Sequence, residues 1–107
     1  MSEKTNEIFR LKAEILQALG HPVRLKIVDF LSKGEKCVCE IVQTLKSERT
    51  GISKHLSILH RSGILSFRKD GKKIIYKLEI PCALNFLSCA EEIIKHNLGK
   101  RIKLIKG

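Results

Sequence analysis

Apolar residues recur at helical spacing at both ends of this chain and alternate with polar ones in a short stretch between. Ile8, Leu11, Ile15 and Leu19 form one stripe, which Phe9, Ala13 and Leu16 widen, predicting a helix over 5–19. So broad an arc calls for two partners, the chain's own core and another chain. Gly20 ends the helix. His21-Pro22 opens the next, with Val23, Ile27, Phe30 and Leu31 as its buried face and Gly34 as its stop. Residues 35–38 read as a connector or short strand, 39–45 as a short helix, 46–49 as a turn, and 50–62 as a longer helix ended by Gly63. On the longer helix Ile52, His55, Leu56 and Leu59 face inward. Arg49, Thr50, Ser53, Lys54, Ser57 and Arg61 face outward. Two helices joined by a short turn, the second polar and basic on its free face, describe a helix-turn-helix.

Residues 64–80 predict a β-hairpin turning at Asp70-Gly71, with Leu65, Phe67, Ile75 and Leu78 apolar and Arg68, Lys69, Lys72 and Lys73 around the tip. Pro81 starts a last helix, reaching to about residue 98. Its stripes are Cys82, Phe86, Cys89, Ile93 and Ala83, Leu87, Ala90, Ile94, again too broad for one partner. Residues 100–107 carry charge without a cap and read as a flexible basic tail. The expected fold is α+β, mostly α: one winged helix-turn-helix domain over 1–107, with an added helix at each end.

Composition narrows the partner. The 107 residues carry 21 Lys and Arg against 11 Asp and Glu, a formal charge of +10, which favours a polyanion. The hydrophobic fraction of 43% is that of a folded domain and excludes a disordered chain. No apolar run approaches the ~20 residues that span a bilayer. The charged start of the chain does not resemble a signal peptide, so a cytoplasmic protein with reduced thiols is expected. No Ser-His-Asp set, phosphate-binding glycine loop or paired-carboxylate pattern suggests an enzyme.

The candidate chemistry lies in four cysteines. Cys37 and Cys39 stand one residue apart at the start of a short helix, where free N–H groups and the helix dipole favour the thiolate. Residues two apart cannot share one face of a regular helix, so Cys37 must lie on the irregular lead-in if both sulfurs are to meet one ion. Thiolates select soft ions. Trivalent arsenic and antimony take three sulfurs in a pyramid, and Cys82 or Cys89, two turns apart on one helix face, is available as the third. The same thiols can instead form a disulfide or polysulfide, or be small apolar packing residues. Neither pair has the C-x2-C spacing of a structural zinc site. His55 reads as a core or capping residue, His21 as a helix-start residue, and His60 and His96 as solvated.

A series of motifs in order resembles one family. Leu19-Gly20-His21-Pro22-Val23-Arg24 resembles the opening signature of the ArsR/SmtB metal-responsive repressors. Glu35-Lys36-Cys37-Val38-Cys39-Glu40-Ile41 resembles the metal box of their arsenite-responsive members. The run from Ile52 to Leu59 followed by Gly63 resembles their recognition helix, and Lys69-Asp70-Gly71-Lys72 with Tyr76 their wing. The resemblance covers roughly residues 8–96. It implies a homodimer built on the first and last helices, binding a palindromic double-stranded operator and releasing it when inducer binds. Two positions depart from the pattern. Val42 stands where the arsenite box commonly has a third cysteine, and Gly51 where the recognition helix commonly has threonine. The zinc-responsive members' Asp-x-His and His-x-x-Glu are absent from the last helix.

The expected function is a homodimeric repressor released by arsenite or antimonite bound to Cys37, Cys39 and Cys82 or Cys89, with no obligatory cofactor. Thr50, Ser53, Lys54 and Ser57 would face bases or phosphates; Arg49 and Arg61 would hold the backbone; Lys69, Lys72 and Lys73 would reach the adjacent groove. Alternatives are the same repressor sensing cadmium, lead or reactive sulfur, and a constitutive nucleic-acid module without inducer. A thiol oxidoreductase lacks its C-x-x-C motif.

Overall fold

The computed structural model describes residues 2–106, with side chains through residue 100. Five helices and three strands follow in the order α1 (Glu3–Leu19), α2 (Pro22–Leu31), β1 (Lys36–Cys37), α3 (Val38–Leu45), α4 (Arg49–Arg61), β2 (Leu65–Asp70), β3 (Lys73–Leu78) and α5 (Ala83–Lys106). This is the expected winged helix-turn-helix, flanked by α1 and α5. The strands form one antiparallel sheet in the order β1-β3-β2, with Cys37 opposite Ile75 and Phe67 opposite Tyr76. At the hairpin tip Gly71 has φ 63° and Lys72 a negative φ, the pattern of a type II′ turn.

The core lies where α2, α3 and α4 meet the base of the sheet. Ile27, Val28, Ile41, Ile52, Leu56, Leu59 and Leu65 are its fully buried side chains. Three of the four inward residues read on α4 are thus buried; His55 is half-buried. Lys46 turns the chain between α3 and α4 at φ 50°, left-handed backbone for a residue with a Cβ.

Several boundaries differ from the sequence reading by one or more residues. Helix α3 begins at Val38, because Cys37 itself supplies the cap. Helix α4 begins at Arg49, with Glu48 as a cap residue that makes no side-chain bond. Helix α5 starts at Ala83; Pro81 and Cys82 form a tighter turn, in which the Leu84 N–H donates to the Pro81 carbonyl and the Asn85 N–H to the Cys82 carbonyl. The backbone over 100–106 is helical, where the charge pattern predicts a flexible tail, while Gly107 lies outside the described residues. The reason is cooperativity: Arg, Lys and Leu extend an existing helix without a new nucleation step, and Gly99 costs only ~1 kcal/mol.

The terminal helices leave apolar surface open. On α1 only Ala18 and Leu19 are buried, and Phe9 is 52% exposed. On α5 Phe86, Ile93, Ile94 and Leu98 are all about half exposed or more.

Gly51 lies in the first turn of α4, with nothing within 4 Å of where a Cβ would stand. Gly51→Ala is therefore expected to raise unfolding free energy by about 0.5–1 kcal/mol. Urea denaturation checks this, and an unchanged or lowered midpoint would refute it.

Candidate functional site

Two groups of residues carry chemistry, and α3–α4 connects them. The first is the lead-in to α3. Cys37 is extended, at φ −76° and ψ 159°, and Cys39 is in the first turn of the helix. Leaving the helix at Cys37 lets both sulfurs meet, as the two-residue spacing requires, and they are joined as a disulfide. The Cys37 Sγ accepts from the Glu40 N–H at 3.3 Å, and the Glu40 carboxylate accepts from the Cys37 N–H at 3.2 Å. This reciprocal pair is a capping box with cysteine in the place of the usual serine or threonine. Cys37 is 4% exposed, whereas Cys39 is open to solvent.

Cys82 and Cys89 are free and exposed in the single chain. Cys82 lines an apolar groove of about 360 Å³ between α1 and α5, with Ile15, Leu16, Leu19 and Phe86. Among the described residues no group of three or more His, Cys, Asp or Glu side chains is placed to hold a metal ion. One chain thus brings Cys37 and Cys39 together and does not add Cys82 or Cys89 to them.

The second group is the outer face of α4 and the hairpin tip. Arg49, Thr50, Ser53, Lys54, Ser57 and Arg61 are all exposed, as are Lys69, Lys72 and Lys73. Arg68, also basic, is held by Glu35 at 3.0 Å. The hairpin leans on α4 through an aromatic run: the His60 ring is 4.8 Å from Phe67, and Phe67 is 5.4 Å from Tyr76. Burial of the Tyr76 hydroxyl raises its pKa above the usual value. His60 is therefore exposed yet stacked, not merely solvated.

A third cluster was not legible as a site. His21 caps α2, its Nδ1 accepting from the Val23 N–H at 3.1 Å, as its place before Pro22 suggested. Arg24 donates from Nε to His55 Nδ1 at 3.1 Å, and from Nη1 to the Ala18 carbonyl at 3.1 Å. The two imidazoles lie 4.4 Å apart. Both Nδ1 atoms accept, so each neutral ring carries its proton on Nε2. That leaves neither ring a free lone pair for a metal. Burial, then His21, then Arg24 lower the His55 pKa below its ordinary 6.5.

The sequence profile described as bacterial regulatory protein, arsR family, matches residues 21–66, from the cap of α2 to the start of β2. The biofilm growth-associated repressor of Xylella fastidiosa is 35% identical over 98 residues, 86% of this chain and 82% of its own length. The arsenical resistance operon repressor of Escherichia coli is 41% identical over 71 residues, 65% of this chain and 61% of its own. A homodimeric winged helix-turn-helix DNA-binding domain from Mycobacterium bovis superposes with a TM-score of 0.77 at 22% identity, covering 92% of this chain and 91% of that one.

The lowered His55 pKa fixes a sign. The unfolded chain protonates His55 as pH falls through 6.5, while the fold resists until a lower pH, so this contribution is present above 6.5 and lost on acidification. His55→Gln is expected to lose less stability between pH 7 and pH 5 than the parent chain. Chemical denaturation at both pH values checks this, and equal losses would refute the assignment.

Proposed function

The chain belongs to the arsR family of bacterial regulatory proteins, winged helix-turn-helix repressors, and on that premise we propose a homodimer that releases operator DNA when trivalent arsenic or antimony binds its cysteine thiolates. The observation that carries the reading is the meeting of the Cys37 and Cys39 sulfurs at the start of α3, the helix that supports α4. The adjacent sulfurs suit a soft thiophilic ion. Cadmium and lead fit it on the same grounds. The E. coli relative's name points to arsenical compounds.

The proposed dimer uses the open apolar faces of α1 and α5, whose half-exposed Phe9, Leu16, Phe86 and Ile93 would otherwise remain in water. Cys82 belongs to that region. A third sulfur from Cys82 or Cys89 must therefore be drawn to the pair on binding, from the same chain or its partner. On DNA, the exposed Thr50, Ser53, Lys54 and Ser57 read the major groove; Arg49 and Arg61 hold phosphates; Lys69, Lys72 and Lys73 reach alongside.

The disulfide favours a second reading, in which oxidation is itself the signal. Two thiols give up two protons and two electrons to a low-molecular-weight disulfide, which leaves as two thiols. The cap argues against this closure as a releasing event: with the sulfurs joined, the Glu40 N–H still reaches Cys37 Sγ at 3.3 Å. Oxidation is then expected to block the inducer and leave DNA bound.

The first test is a mobility shift on the region upstream of the chain's own gene. Arsenite is expected to release the reduced protein and to leave Cys37→Ser bound. Serine is a preferred cap with glutamate three residues on, so this variant should keep its stability within about 1 kcal/mol. Release of Cys37→Ser at the same arsenite concentration would remove the pair as the sensor. In the second test the protein is oxidised with glutathione disulfide before assay. DNA binding within a few-fold of the reduced form, with no arsenite response, is expected; release by oxidation alone would favour the second reading.

A further inference from the structure

Arg24 joins three elements through one planar side chain. It sits on α2, half-buried, and reaches back to the last turn of α1 and across to the middle of α4. The Ala18 carbonyl it holds lies in the final turn of α1, whose free carbonyls lack intrahelical partners. The His55 Nδ1 it holds is one residue from Lys54 and two from Ser53 and Ser57, on the exposed face of α4. A guanidinium presents these two N–H groups in fixed directions, which an ammonium cannot do.

We propose that Arg24 is a positioning residue for DNA reading: by holding the Ala18 carbonyl and His55 together, it sets the angle at which α4 presents its outer face relative to α1. This rests on the reading of that face as the DNA-contacting one. Because α1 also carries the apolar stripe assigned to the dimer, the latch ties the attitude of each recognition helix to the subunit interface. The interaction needs a neutral His55, since a protonated Nδ1 donates and repels the guanidinium. The titratable and charged groups near His55 are His21, the cap of α2, Arg24 on α2, and Lys54 on α4 itself. From α1 comes the uncharged Ala18 carbonyl.

The test measures binding to a fluorescent duplex carrying the region upstream of the gene, over a range of salt, with folding and dimerisation followed by circular dichroism and sedimentation. Arg24→Gln is expected to bind about tenfold more weakly, the scale of one charge-assisted hydrogen bond. The salt slope should be unchanged, because no phosphate contact is removed; a slope lower by about 1 would mark Arg24 as a phosphate ligand and overturn the proposal. His55→Phe should weaken binding similarly, His55→Gln should rescue it through its side-chain oxygen, and Arg24→Gln combined with His55→Phe should be no worse than either alone. Additive losses would overturn it. Lys54→Gln separates the premise from the latch. If it binds as tightly as the parent, the DNA-contacting face is wrong and both fall; if it is weakened and Arg24→Gln is not, only the latch falls. Nitrogen NMR of the unsubstituted protein needs no variant to fold: His55 is expected as the Nε2–H tautomer, and the Nδ1–H tautomer would overturn the latch.

Discussion

The start of α3 is where the helix-turn-helix and the wing join, and Cys37 makes both connections. Its backbone lies in β1 opposite Ile75 of β3, so it belongs to the sheet that carries the wing. Its sulfur and N–H complete the reciprocal cap with Glu40, so it also begins the helix that supports α4. Oxygen caps of this geometry contribute about 0.5–2 kcal/mol, and sulfur, a weaker acceptor, lies toward the low end. Little of the rest can be displaced independently. Ile41 and Val38, in the first turn of α3, are buried against the same core as Ile52, Leu56 and Leu59 of α4. A change in the geometry of Cys37 is therefore felt on one side by the wing and on the other by the recognition helix.

The terminal helices obey a different constraint. A helix apolar over a wide arc needs cover on two sides, and the single chain supplies it on one. Helix α1 touches the core through Ala18 and Leu19, while Ile8, Phe9, Leu11, Ile15 and Leu16 stay open. Its exposed polar side is organised by Arg10, which pairs with Glu7 and Glu14, exposed interactions of small energetic weight. In the proposed dimer the stability of α1 thus comes from a second chain. The Arg24 bond to Ala18 lies at the end of α1 where cover by the core gives way to cover by the partner.

Local pattern made the elements legible, and distance set the limit. Period and turn residues located every helix and the hairpin, because Ile52, Leu56, Leu59 and Asp70-Gly71 act through neighbours in sequence. The need for Cys37 to leave the helix followed from spacing alone, and its extended backbone agrees. The cap itself was missed because cysteine is not among the usual capping residues; Cys37-x-x-Glu40 was the available signal. The helical backbone over 100–106 was missed because charge was read as a tail although an uninterrupted helix already led into it. The Arg24–His55 bond joins residues 31 apart in sequence, and no periodicity encodes it. Its only local trace is the placing of Arg24 three residues after the capping His21. Whether a third sulfur joins the pair is a question of distance too, and the single chain does not bring one there.

The cap bounds how strongly the proposed signal can act. In the joined pair the Glu40 N–H keeps its acceptor, so sulfur chemistry confined to Cys37 and Cys39 need not disturb α3. A three-sulfur ion differs because Cys82 and Cys89 of the same chain are not placed beside the pair, and in the proposed response joining one of them draws Sγ away from the helix end. Loss of one cap, at most about 2 kcal/mol on the scale of oxygen caps, corresponds to at most roughly a thirtyfold change in an equilibrium. Two subunits on one operator would double the energy and square the factor. Coupling is reciprocal, so operator DNA must weaken the ion's binding by that same factor. Any release larger than this must draw on the other attachment of Cys37, its pairing with the wing strand, or on movement of α5 at the subunit interface. The response of the proposed sensor is therefore bounded by its cap: the sulfur that would meet the ion is also the atom whose displacement would set the size of the response.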